Sequence, residues 1–286
     1  MLDNFKKLLP KRFRKQKIVI PVVRLQGAIM TGGSRFKPAL NLASVAPALD
    51  KAFSKSNAPA VAISINSPGG SPVQSRLIFE RIRALAAEKD KTVLVFVEDV
   101  AASGGYMIAL AGDEIFADAT SIVGSIGVVS GGFGFPELLK KIGVERRVYT
   151  SGENKVILDP FQPEKQDDIE YLKSLQVEIH EIFIEMVKSR RGIRLADDPN
   201  LFSGLFWTGK TGLALGLVDG LGHMREIVRA RYGKDVKLEL VSGGRSLFGR
   251  AVPGVSASGP EAIAAAAASG LADTAEERAL WGRFGL

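Results

Sequence analysis

Short apolar runs alternate along the chain with longer stretches whose apolar residues recur at helical spacing. Ile18-Val19-Ile20-Pro21-Val22-Val23, Val61-Ala62-Ile63-Ser64-Ile65 and Thr92-Val93-Leu94-Val95-Phe96-Val97 are of strand length and rich in β-branched residues, so they read as buried strands. Residues 73–88 and 169–190 carry the helical pattern, and Met107-Ile108-Ala109-Leu110-Ala111 is a helix-compatible run close behind the third strand. Strands separated by helices argue for crossover units and a largely parallel sheet, an α/β architecture. The 286 residues allow a sizeable core, expected over residues 18–241, with an arm at 1–17 and a tail at 242–286.

The segment between the third strand and its helix carries the first chemical signal. Glu98-Asp99-Val100-Ala101-Ala102-Ser103-Gly104-Gly105-Tyr106-Met107 places Ser103 in a tight turn of small residues at a helix N-terminus. A hydroxyl there faces open space, and the helix end favours negative charge developing beside it. An ordinary N-cap serine is the plain alternative, but a cap has no use for two alanines before it and two glycines after it. Ser103 is therefore read as a nucleophile.

A serine nucleophile needs a base, and histidine is scarce. His180 lies in the long helical stretch among Glu178, Glu181 and Glu185, which reads as a solvated face, and His223 follows a Gly-Leu-Gly turn where capping is the simplest role. A lysine serves instead where burial leaves it neutral, and composition does not choose among the many lysines present.

Four blocks in register narrow the choice: Asn66-Ser67-Pro68-Gly69-Gly70-Ser71, Ala101-Ala102-Ser103-Gly104-Gly105-Tyr106, Gly124-Ser125-Ile126-Gly127-Val128 and Ser151-Gly152-Glu153-Asn154-Lys155. Over roughly residues 18 to 240 the chain resembles the bacterial signal peptide peptidase A family. These are serine-lysine peptidases on a Clp/crotonase-like fold of repeated β-β-α units with a largely parallel core sheet. The resemblance implies Ser103 as nucleophile, Lys155 as general base and Ser125 as the serine that orients the lysine amine. Glycines at a strand-to-helix turn aim backbone N–H groups at an anion. Taken with Ser103 in the family's order, Gly69 and Gly70 become expected oxyanion donors, with the Gly104 N–H as a further candidate. The resemblance also implies a homo-oligomeric ring, in which Lys155 completes the Ser103 of its own protomer or of a neighbour, and peptide or unfolded-protein substrates with hydrophobic, signal-peptide-like character. No metal or organic cofactor is required.

One motif competes. Gly204-Leu205-Phe206-Trp207-Thr208-Gly209-Lys210-Thr211 fits the phosphate-binding pattern letter for letter. Bulky residues fill its middle, and a polar, proline-containing stretch, Arg194 to Asn200, stands where a buried strand should lead in. Nucleotide binding is set aside.

Charge and composition bound the partners. Residues 1–17 hold seven basic side chains against Asp3, so most of the net charge of +7 sits in this arm and the body is near neutral. A near-neutral body offers nucleic acid no basic face. Leu2, Phe5 and Leu9 share one helical face of the arm, a weak version of the pattern that rests peripherally on anionic membranes. A disordered basic arm is the equal alternative. Zero cysteines exclude disulfides and thiolate metal sites, and two separated histidines argue against zinc. The 18–23 run is interrupted by Pro21 and falls far short of the about 20 apolar residues of a spanning helix. The expected location is cytoplasmic, with contact at the inner membrane face. Residues 242–258 read as a linker, an alanine run to Ala268 as a short helix, and Thr274 to Phe284 as a second helix able to dock on a neighbouring subunit. Two other functions share these features. One is a crotonase-type acyl-CoA enzyme using Glu98 and Asp99, and the other is a non-catalytic membrane-associated scaffold that keeps the fold.

Overall fold

Strand β2 (Ala60–Ser67) is buried along its whole length, as an apolar run with both faces covered must be. Val61, Ile63 and Ile65 point into one core layer and Ala60 and Ala62 into the other. The neighbouring β3 (Thr92–Ala102) repeats the alternation, with Val93, Val95 and Val97 on the first side and Leu94 and Phe96 on the second. This computed structural model describes residues 18–32, 39–242 and 277–286. The basic arm at 1–17, nearly all of the expected linker and the alanine-rich helix lie outside the described residues.

The order is β1 (Val19–Gln26), α1 (Leu42–Phe53), β2, α2 (Pro72–Lys89), β3, α3 (Gly104–Ala109), β4 (Glu114–Ala117), β5 (Ile122–Gly124), α4 (Pro136–Lys141) and α5 (Gln166–Arg191). A single 3₁₀ turn (Gly192–Arg194), β6 (Phe206–Thr208), α6 (Gly209–Ala214), β7 (Gly220–Leu221), α7 (Met224–Tyr232) and β8 (Lys237–Leu240) follow. All eight strands join one sheet in the order β6-β5-β3-β2-β1-β8, with β4 on β3 and β7 on β4. Every pairing is parallel except β5 with β6, so the expected largely parallel α/β sheet is present.

Local signals set the helix ends. Asn41 caps α1 reciprocally: its Oδ1 accepts from the Ser44 N–H at 2.9 Å, and Ser44 Oγ accepts from the Asn41 N–H at 3.1 Å. Ser71 caps α2, with Pro72 in its first turn. Apolar residues of α1, α2, α3 and the C-terminal half of α5 cover one face of the sheet, and Val228 of α7 covers the other. Phe96 and Phe116 stack at 5.4 Å on that second face.

The long edge of β3 serves two partners in turn. Leu94 to Val97 pair with β4, and Val100 to Ala102 pair with β5. This brings β5, and the residues after it, beside the C-terminal end of β3.

An ion-pair cluster locks α5 to the sheet. Arg191, with a side chain only 2% exposed, donates from Nη1 and Nη2 to the two oxygens of Asp219 at 2.8 and 3.0 Å and from Nε to the Gly216 carbonyl at 2.7 Å. Asp219 Oδ2 also accepts from the Ile115 N–H of β4 at 2.8 Å, and Arg194 donates to Oδ1 at 3.0 Å. Burial alone would raise the Asp219 carboxyl; the Arg191 and Ile115 bonds and the two guanidinium charges outweigh it and hold the group below its usual range.

Replacing Asp219 with Asn leaves the Arg191 guanidinium buried without its charge partner. Urea unfolding at pH 7 should show a loss of about 3–5 kcal/mol. Because the folded carboxyl is depressed, its stabilisation is present above the unfolded value of about 4 and disappears as pH falls through the folded value. The gap between wild type and Asp219→Asn should therefore narrow below pH about 4.

Candidate active site

Ser103 leaves β3 with φ 51° and ψ −121°, a conformation that costs a non-glycine residue about 1–3 kcal/mol. The backbone is held there from both sides. Its N–H donates to the Gly124 carbonyl of β5 at 2.8 Å, and its carbonyl accepts from the Met107 N–H of α3 at 2.9 Å. Although Ser103 occupies the N-cap position of α3, its side chain makes no capping bond. It is half-buried, while the residues on either side of it are fully buried. A strained turn that leaves the hydroxyl unbonded is an arrangement for presenting Oγ, and the capping role is rejected.

The loop after β2 packs against this turn. An ideal Cβ built on Gly69 would lie 2.8 Å from both the Ala102 carbonyl oxygen and Ser103 Cβ and 2.9 Å from the Gly104 nitrogen, so only glycine fits there. One built on Gly104 would lie 2.4 Å from Ser75 Oγ and 3.4 Å from the Gly70 nitrogen. The glycines expected to carry oxyanion donors thus lie close around Ser103. The Gly69 N–H donates to Ser67 Oγ at 3.2 Å, so that donor is already engaged within the chain. The Gly70 and Gly104 N–H groups have no acceptor among the described residues.

The two acids before the turn are occupied elsewhere. Glu98 accepts from Arg24 at 2.9 and 2.6 Å and from Ser64 Oγ. Burial would raise its carboxyl, but the Arg24 and Ser64 bonds and the Arg24 charge prevail and hold it below the usual range. Asp99 accepts from Asn66 Nδ2 at 2.6 Å, and Asn66 Oδ1 accepts from the Val100 N–H at 3.2 Å. Both carboxylates act as ties between strands, which removes the feature that favoured an acyl-CoA enzyme.

Ser125 is buried beside the turn. It follows Gly124 in the left-handed region, φ 53°, and its N–H donates to the Leu205 carbonyl at 2.8 Å. Ala102 pairs with Gly124, so Ser103 and Ser125 are the residues directly after a paired position of adjacent strands.

Lys155 makes no hydrogen bond to either serine within the chain. It lies exposed in a turn between α4 and α5, and its ammonium makes no hydrogen bond or ion pair among the described residues. The stretch that carries it, residues 129–165, is exposed almost throughout despite apolar residues such as Phe133, at 82%, and Tyr149, at 91%.

The histidines divide. His223 precedes α7 without a side-chain cap bond. His180 departs from the expected solvated face: it is half-buried, and its Nε2 lies 3.0 Å from the Ile126 carbonyl. A carbonyl only accepts, so Nε2 carries the proton, and the ring braces the segment that holds Ser125. Neighbouring glutamates on the helix gave no sign of a carbonyl packed against this position.

The competing phosphate motif is spent on structure. The Gly209 and Lys210 N–H groups donate to the Ser121 and Ala119 carbonyls at 2.6 and 3.1 Å, and the Thr211 N–H donates to Thr208 Oγ1 at 3.3 Å, leaving no cradle for phosphate. Trp207 lies over Gly124, where a Cβ would meet its ring at 2.7 Å. The final helix begins within the described residues at 277. Phe284 packs edge-to-face on Phe206 at 5.0 Å, so it docks on its own chain. Among the described residues no helix is long and apolar enough to cross a membrane, and no cluster of His, Asp or Glu has the makings of a metal site.

The chain is similar to several known proteins. Two proteins named Na(+)/H(+) antiporter NhaA, from Brucella abortus and Brucella melitensis, are each 65% identical over 98% of this chain, which spans 39% of their length. Protease 4 of Haemophilus influenzae is 32% identical over 79% of this chain and 37% of its own length. The chloroplastic serine protease SPPA of Arabidopsis thaliana is 32% identical over 63% of this chain and 26% of its own. The chain therefore corresponds to well under half of each. The family model described as Peptidase family S49 matches residues 86–238, from the end of α2 through the serine turn to β8. With a strained, uncapped serine inside that match, the chain belongs to peptidase family S49, the serine hydrolases of the signal peptide peptidase A type.

Proposed function

We propose that the chain is an endopeptidase working through a Ser103–Lys155 dyad on unfolded or signal-peptide-like hydrophobic peptides. The uncapped, left-handed Ser103 carries this reading: the fold spends strain to present a hydroxyl that it does not use. Ser103 Oγ attacks the peptide carbonyl carbon, and its proton passes to the neutral amine of Lys155. The Gly70 and Gly104 N–H groups face the developing oxyanion. The C–N bond then breaks, Lys155 returns the proton to the leaving amine, and water later attacks the acyl-enzyme with Lys155 again as base. Ser125 would hold the lysine amine in line.

Lys155 reaches the site from a second copy. Its exposure, and the apolar side chains exposed around it, support a homo-oligomeric ring in which residues 129–165 of one protomer cover the serine turn of the next. Burial at that junction supplies the desolvation a lysine base needs. Peripheral placement at a membrane fits the basic, partly apolar arm at 1–17. It also fits relatives in which a region like this chain sits within a longer protein named for sodium–proton exchange.

Casein cleavage at pH 8 should be present in wild type and fall by at least about 10³ in Ser103→Ala and in Lys155→Ala, with assembly unchanged by light scattering. Cleavage persisting in either variant would remove that residue from the dyad. Neither variant has a complete site alone, but co-refolded in equal amounts they should recover about a quarter of wild-type activity, because intact serines then meet intact lysines across random junctions. A mixture as inactive as its parts places both groups in one chain.

A further inference from the structure

Two fully buried hydroxyls that the proposed reaction does not use, Ser67 and Ser75, stand directly behind the glycines of the site. Ser75 Oγ donates to the Ser71 carbonyl at 2.8 Å and so has its own partner within α2. Ser67 is different, because it touches both loops that carry oxyanion donors. Its Oγ accepts the Gly69 N–H at 3.2 Å, while its carbonyl oxygen and Cβ abut Gly105, where an ideal Cβ would meet them at 2.5 and 3.2 Å.

We propose that Ser67 is a positioning residue that aims the Gly70 and Gly104 N–H groups at the oxyanion, an inference that rests on Ser103 being the nucleophile. Gly69 is pinned at both ends. Its N–H is held by Ser67 Oγ, and its carbonyl accepts from the Ile29 N–H at 2.8 Å. In a trans peptide the carbonyl and the following N–H point to opposite sides. Fixing the Gly69 carbonyl on Ile29 therefore turns the Gly70 N–H away from Ile29, and its nitrogen lies beside Gly104. The Ile29 carbonyl takes the Ser71 N–H at 2.7 Å, which closes the loop on the far side of Gly70. Of these anchors only Ser67 is a side chain, and its main chain also sets how closely Gly105, and with it Gly104, approaches.

Loss of the Ser67 hydroxyl leaves the Gly69 N–H buried without an acceptor, and the loop relieves this by turning. An oxyanion donor is useful only within about 2.7–3.1 Å of the developing charge, so a small turn is felt in the transition state and hardly at all in substrate binding. A serine that merely stabilised the loop would weaken both alike.

The test compares a peptidyl aldehyde with the matching peptidyl alcohol on full-length wild type, Ser67→Ala, Ser67→Cys and Ser103→Ala. The aldehyde adds to Ser103 Oγ and places an oxygen among the donors; the alcohol does not. Ser67→Ala should lose roughly tenfold to a hundredfold in kcat, less than the about 10²–10³ expected for removing a whole donor. Its KM should stay within about twofold of wild type. Aldehyde affinity should fall in step with kcat/KM, and alcohol affinity should hold. Ser67→Cys, similar in shape with a weak sulfur acceptor, should lie between serine and alanine, and it carries the comparison alone if the alanine variant does not fold. Equal losses for aldehyde and alcohol, undiminished kcat, or a cysteine variant no better than alanine would overturn the role of Ser67 and leave the nucleophile standing. Ser103→Ala that still prefers the aldehyde would overturn the nucleophile and this inference with it.

Discussion

The hydrogen bond from the Ser103 N–H to the Gly124 carbonyl ties an unfavourable backbone conformation to the edge of a parallel sheet. In isolation a serine with positive φ would relax. Here the same residue is gripped by β5 through its nitrogen and by α3 through its carbonyl, and relaxing would break both bonds. The turn needs β5 to lie beside the last residues of β3, and that in turn needs β4 to stop short. The split edge of β3 is thus as much part of the site as the serine.

Parallel strands finish together, so their following loops gather at one end of the sheet. β2 delivers the glycine loop, β3 the serine and β5 the second serine. The polar residues at the ends of these otherwise apolar strands lash them together. Asn66 joins β2 to β3 through Asp99 and the Val100 N–H, and Glu98 draws Ser64 and Arg24 into line. In a sequence such residues resemble reactive acids, because nothing in their spacing reveals that their oxygens are already taken.

What could be read in advance follows the range of the forces involved. β2, β3 and α2 declare themselves because a continuous apolar run or a helical period is local, and the Ser103 turn because small residues cluster only where something must approach. β5 and β6, three residues each, carry no period of their own and exist through their partners. His180 reads as solvated because its helix neighbours are glutamates, whereas its environment is made by Ile126, far away in sequence. The glycine loop reads from sequence as a place of close backbone approach, but that the Gly69 N–H is already bonded depends on where Ser67 Oγ points. Lys155 is recognisable by motif, and a single chain leaves it in solvent.

Helix α5 gives that exposed lysine a fixed geometry. Its buried residues, Phe183, Val187 and Arg191, all lie in its last turns, where the Arg191–Asp219 cluster clamps it to the sheet. The 26 residues span about 39 Å at 1.5 Å each, and the first half projects free of the core. It is a cantilever, anchored at one end and loaded at the other by the segment bearing Lys155. In the ring proposed above, a rigid arm of set length and pitch would fix where the neighbouring molecule stands, and the helix would act as a gauge for the assembly. Adding one residue between clamp and load would swing the tip by about 100° and alter which surface it meets.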